Sequence, residues 1–99
     1  MPACFTLTPK GEETPDSLGR VDAKICAHFG APVHPKFFLW EWYTMIGFRL
    51  AMGRTWEEIR QSFREGIADN EFVDGYTKLL EVVDFLEATY EPCSWAEMK

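Results

Sequence analysis

The sequence predicts a mainly α fold: a compact single-domain bundle of about four helices with a short extended strand at the N-terminus. Three observations point there. Apolar residues recur at three- and four-residue spacing through most of the chain after residue 14. Proline, glycine and capping residues cut that periodicity into four segments. Aromatic residues make up 15% of the 99, so large rings are available to fill the core of a small domain. The expected organisation is one helical domain over residues 1–99, with an extended segment and loop at 1–14, a helical body at 15–91 and a tail at 92–99.

Cys4 to Thr8 alternates, with Phe5 and Leu7 on one side and Cys4, Thr6 and Thr8 on the other, which is a strand pattern. A lone strand needs a partner. The candidates are the tail Cys93–Trp95, a second copy of the chain, or another protein. Pro9 to Asp16 is polar and reads as a loop. Thr14 is the expected N-cap of a first helix over 15–29, with Pro15 at its first position and Gly30 as its stop. Leu18, Val21, Ile25, Cys26 and Phe29 form its apolar face. Pro32 and Pro35 make the next stretch a stiff turn.

Residues 36–52 are apolar on nearly every side, which predicts a central helix wrapped by the others. The run from Phe37 to Met52 holds 16 residues including Glu41 and Arg49. That is short of the roughly 20 apolar residues of a membrane span. Thr55 and Glu58 form a capping box for a third helix over 56–67, with Trp56, Ile59, Phe63 and Ile67 on one face. Asp69-Asn70-Glu71 reads as the cap of a fourth helix over 71–90. Phe72, Tyr76, Leu79, Val83, Leu86 and Tyr90 make its core stripe, and Pro92 ends it.

Charge is distributed unevenly. Residues 1–54 carry six Lys/Arg and five Asp/Glu; residues 55–99 carry four and eleven, which is +1 against −7. A dense acidic surface repels nucleic acid and attracts basic protein surfaces. On a wheel of the fourth helix, Glu71, Asp74, Glu81, Asp84, Glu87 and Glu91 lie opposite the core stripe, with Lys78 the one cation among them. Val82 and Phe85 fall on the same side. An exposed Phe85 framed by Glu81, Asp84 and Lys78 would be an apolar anchor inside a charged rim. The competing reading has Phe85 covered by the N-terminal strand or the tail, and the acidic run as an ordinary solvated face.

Catalytic patterns are weak. Cys26, His28 and His34 have no common zinc spacing, and Cys26 sits on the apolar face of its helix, so no metal or other cofactor is expected. Cys26 and His28 point different ways on a helix, which disfavours a nucleophile pair. Glu57/Glu58 and Glu81/Asp84 fall on solvent faces, where carboxylates keep ordinary acidity. Arg54, Arg60 and Arg64 stand near a turn like that of a helix-turn-helix motif, but Glu57, Glu58 and Glu65 share the helix, which argues against direct nucleic-acid binding. Trp40, Trp42 and Tyr43 read as core before they read as a ligand pocket. Three cysteines without framework spacing, and a start lacking basic and apolar leader regions, fit a reduced cytoplasmic protein.

Cys4-Phe5, Leu7-Thr8, Lys10-Gly11-Glu12, Trp42-Tyr43, Ile46-Gly47-Phe48 and Leu50-Ala51 together resemble stretches of small bacteriophage-encoded proteins of unknown function. The resemblance implies a setting, a bacterial host cytoplasm, and a class of role, binding and disabling a host machine. No residue role comes with it. The reading that results is a non-enzymatic interaction module that binds a basic protein surface through Asp74, Lys78, Glu81, Val82, Asp84, Phe85, Glu87 and Glu91. The alternative is a homodimeric assembly protein built on the unpaired strand and Phe85.

Overall fold

A computed structural model describes residues 6–37 and 41–93. Cys4 and Phe5 of the expected strand, 38–40 of the expected second helix, and the 94–99 tail with Trp95 lie outside these. The order of elements is β1 (Thr6–Pro9), α1 (Leu18–Phe29), a π-helical turn (Tyr43–Gly47) running into α2 (Phe48–Ala51), α3 (Trp56–Ala68), α4 (Val73–Thr89) and β2 (Tyr90–Cys93). The chain is mainly helical, as its periodicity requires.

The N-terminal strand finds its partner within the chain. β1 pairs antiparallel with β2, Thr6 opposite Cys93 and Pro9 opposite Tyr90. The backbone turns extended at Tyr90, two residues before Pro92. Among the described residues the sheet has two strands, and Pro92 sits on one of them where a missing N–H is tolerated.

α1 starts later than Thr14 and Pro15 suggest. Asp16 is extended and bridged to Leu7, its N–H donating to the Leu7 carbonyl at 2.9 Å. The backbone at Asp16 is therefore committed to the sheet side and cannot enter a helix. Ser17 takes over as N-cap and accepts from the Arg20 N–H at 3.2 Å, while Gly30 closes the helix at φ 100°.

The second helix does not begin at residue 36. The Phe37 N–H bonds to the His34 carbonyl in a turn, and described helix begins at Glu41. Its π-helical segment has side-chain causes. Thr44 Oγ1 donates to the Glu41 carbonyl at 3.0 Å, and the Arg49 guanidinium takes the Met45 carbonyl, so two acceptors of the ordinary ladder are shared with side chains. Nor is this helix wrapped all round. Trp42, Ile46, Leu50 and Ala51 are buried, but Phe48 and Met52 are 48% and 64% exposed.

α3 forms as read. Thr55 Oγ1 accepts from the Glu58 N–H at 3.1 Å and Glu58 Oε1 accepts from the Thr55 N–H at 2.9 Å. Ile59 and Phe63 are buried on its inner face. The stretch after it has a different role from the one its composition suggests. The Glu71 N–H bonds to the Gly66 carbonyl and the Asn70 N–H to the Ile67 carbonyl, with Asn70 at φ 60°. That is a Schellman closure of α3. Asp69-Asn70-Glu71 therefore ends one helix instead of starting the next. α4 begins only at Val73, behind a left-handed Phe72 that supplies no side-chain cap.

The α3–α4 hairpin packs closely because of Gly66. A Cβ there would lie 2.3 Å from Tyr76 Cε2, and Tyr76 stacks on Phe63 at 5.6 Å between centroids. The core collects Leu7, Val21 and Ile25, Trp42 and Ile46, Ile59 and Phe63, and Leu79, Val82, Val83, Leu86 and Tyr90. Each buried aliphatic or aromatic side chain contributes about 1.5–3 kcal/mol of transfer free energy, offset largely by lost chain entropy.

Candidate interaction surface

Helix α4 has two packed sides. α3 lies along one; the C-terminal end of α1 touches the other, where Phe85 meets Phe29 at 5.7 Å and His28 at 4.8 Å between ring centroids. This widens its buried arc beyond a single stripe. Val82, expected beside Phe85 on the acidic side, is fully buried. It belongs to the core and presents nothing to a partner. Phe85 itself is half-buried against His28 and Phe29 of α1; the 94–99 tail of the competing reading lies outside the described residues. At the other end of the expected stripe, Phe72 is not core: it is 41% exposed.

The carboxylates Asp74, Glu81, Asp84 and Glu91 are exposed and Glu87 is half-buried. They are less free than their spacing suggests. Arg60 reaches across from α3, its side chain only 14% exposed. Nε donates to Asp84 Oδ1 at 3.0 Å, Nη2 lies 2.8 Å from the same oxygen, and Nη2 also donates to Glu87 Oε1. Glu57 adds a third carboxylate 3.5 Å from Nη1 and is itself held by Arg64 at 2.7 Å. These contacts push the Arg60 pKa above its ordinary value, the Glu87 hydrogen bond contributing most, and hold Glu57 below the usual carboxylate range, mainly through Arg64. Lys78 pairs with Glu81 at 3.6 Å and lies over the Phe29 ring at 5.8 Å. Every cation on α3 and α4 thus has an acidic partner. These three cations offset the repulsion among Glu57, Glu81, Asp84 and Glu87.

The residues considered for chemistry are not brought together. The Cys26 thiol donates to Asp22 Oδ2 at 3.8 Å, and Asp22 Oδ1 accepts from Trp42 Nε1 at 2.8 Å. Burial, with the Asp22 charge adding to it, pushes the Cys26 thiol up in pKa, away from a reactive thiolate. His28 packs on Phe29 and Phe85, His34 on Phe37 and Phe72. Among the described residues no group of three or more His, Cys, Asp or Glu is placed to hold a metal ion, and no helix is long and apolar enough to cross a membrane. Glu58 is spent on its cap, which holds its pKa low through the Thr55 backbone N–H.

One polar cluster was invisible in the sequence. Asp16, its side chain 8% exposed, accepts from the Tyr90 hydroxyl at 2.9 Å and from Lys24 Nζ at 2.7 Å, with Arg20 Nε at 3.8 Å. The Lys24 hydrogen bond is the main cause of a lowered Asp16 pKa, and burial the main cause of a raised Tyr90 pKa. With Tyr90 fully buried and Lys24 on α1, the cluster joins α1 to the sheet.

Compared with protein-family models, with curated proteins and with solved structures, the chain matches none.

Proposed function

We propose that the protein is a non-enzymatic interaction module that presents the acidic α3–α4 hairpin to a basic protein surface. One observation carries the reading. From Trp56 to Glu91 there are ten Asp/Glu and three Lys/Arg, and all three cations are already paired within the hairpin. The surplus negative charge has no counterpart there. Such a surface raises the on-rate and specificity of a cationic partner more than its raw affinity.

In the sharpest form, Glu81, Asp84, Glu87 and Glu91 stand in for phosphates and occupy the nucleic-acid groove of a basic host enzyme or defence protein, the setting that the phage resemblance implies. Asp84 and Glu87 share Arg60. Each carboxylate still has acceptor sites left over, so a partner's Lys or Arg adds to Arg60 without having to displace it.

The test is affinity capture from bacterial lysate at low and high salt, with wild type and an E81Q/E91Q variant that leaves Arg60 and its partners intact. A nucleic-acid-handling protein captured by wild type at low salt, lost at high salt and weakened by the variant is the expected result. Capture indifferent to both salt and variant would sink the reading. The second reading, a homodimeric assembly protein, now draws on the exposed Phe48 and Met52, since the strand is paired internally. Light scattering separates it: a dimer insensitive to salt at micromolar concentration belongs to the assembly protein.

A further inference from the structure

Four carboxylates that join no ion pair cluster at the α3–α4 turn. Glu65, Asp69, Glu71 and Asp74 are exposed, the segment between them holds no Lys or Arg, and among the described residues none of the four joins an ion pair. In the middle of this segment stands Phe72, 41% exposed. Its ring rests on Gly75, where a Cβ would come within 2.0 Å of Phe72 Cε2, so the helix backbone itself is the floor on which the ring lies. Phe37 at 5.8 Å and His34 at 5.3 Å between centroids hold the ring edge-on from the side.

Beside Phe72 is a groove of about 210 Å³, lined by Lys36, Phe37, Glu41, Met45, Phe72 and Leu79. Small-molecule sites run to about 300–1,000 Å³, so this one has the size of a single large side chain. Four of the six lining residues are apolar, and the other two, Lys36 and Glu41, carry opposite charges. An apolar slot with an aromatic wall and an acidic flank has the anatomy of a hot spot with a charged rim.

We infer that the groove beside Phe72 seats an aliphatic or aromatic side chain of a basic protein segment, whose flanking Lys or Arg face Asp69, Glu71 and Asp74. This rests on the interaction-module reading and moves its anchor from Phe85 to Phe72. Charge complementarity selects the partner: a neutral or acidic segment would gain the slot but meet the unpaired carboxylates.

The test is an amide-shift titration of the isotope-labelled full chain with three short synthetic peptides. One places Leu between Lys and Arg residues; the second replaces that Leu by Ser; the third replaces its Lys and Arg by Gln. Saturable shifts at Phe37, Met45, Phe72 and Leu79 with the first peptide are expected, with each control binding tenfold or more weaker. F72N keeps a side chain that tolerates the left-handed backbone and removes the ring. D69N/E71Q/D74N leaves the groove and removes the charge. Both variants are expected to weaken the first peptide by tenfold or more. Saturable shifts confined to Glu81, Asp84, Glu87 and Glu91 would overturn the Phe72 anchor and leave the acidic-module reading standing. Shifts at Phe72 that grow with protein concentration alone would assign the groove to a second copy and overturn a basic partner. No saturable shift anywhere would overturn the inference outright.

Discussion

The Tyr90 hydroxyl donates a 2.9 Å hydrogen bond to Asp16, joining the first residue of β2 to the residue that precedes the cap of α1, 74 positions earlier. Tyr90 is fully buried, so its hydroxyl has no water to turn to if Asp16 is removed. D16A is therefore expected to cost about 1–3 kcal/mol and Y90F about 1 kcal/mol, with the double variant costing less than the sum, read by urea denaturation. Additive losses would show that the two residues act separately.

The same cluster sets a pH profile. The Asp16 pKa is lowered by folding, so its contribution is present above the unfolded value of about 3.9 and fades as pH falls through the lower folded value. Lys24 and Tyr90 are raised, Lys24 chiefly by the Asp16 hydrogen bond and Tyr90 by burial. Their contribution holds below about 10 and is lost as pH rises through the folded values. Midpoints of thermal unfolding across pH should fall at both ends. D16N should flatten the acid limb; an unchanged limb would exclude Asp16 as its source.

Arg60 serves three carboxylates at once. Surface pairs singly contribute about 0–1 kcal/mol, but R60M removes one cation from Asp84, Glu87 and Glu57 together. An overall loss of about 1–2 kcal/mol is expected at low salt, shrinking as salt screens the repulsion left behind. Denaturation at two salt concentrations reads it. A loss independent of salt would point to packing of the Arg60 stem instead.

Glycine-to-alanine changes inside helices ordinarily stabilise by about 1 kcal/mol. At Gly66 the sign should invert, because the new methyl meets the Tyr76 ring at 2.3 Å and that ring is stacked on Phe63. A loss of about 1–3 kcal/mol is expected for G66A. G75A meets Phe72, which is 41% exposed where Tyr76 is packed on Phe63, so it should cost less. Equal losses would mean that Phe72 is as firmly seated as Tyr76.

Cys26 should react slowly with iodoacetamide near neutral pH, since its thiol is raised in pKa by burial and by Asp22. D22N keeps an acceptor for Trp42 Nε1 while removing the charge. Its expected effect is a several-fold faster modification of Cys26, followed by peptide mass spectrometry; an unchanged rate would leave burial as the whole cause.

The helices were legible where their signals are local. Thr55 and Glu58 are three residues apart and bond to each other, so sequence and structure agree at the start of α3. The α3–α4 turn misled because Asn70 fills a left-handed position usually given to glycine, making a C-terminal closure look like an N-terminal cap. The wheel misplaced Val82 because it allows a helix one buried face, and α4 has two. The pairing of Arg60 was not legible because Asp84 and Glu87 lie 24 and 27 residues away, a separation no periodicity encodes. Asp16 is similar: a short polar residue in a loop-like run, whose role is fixed by a tyrosine near the other end.

The two-strand ladder has a mechanical consequence. Thr6 faces Cys93 and Pro9 faces Tyr90, so the strands enter and leave the fold at the same end of the ladder. A pull applied at Thr6 and Cys93 peels the pairs apart one after another, each bond bearing the whole load in turn, instead of shearing all of them together. The pull reaches α1 early, because Leu7 must also release the Asp16 N–H, and the ladder side ends where Lys10 lets go of Thr89.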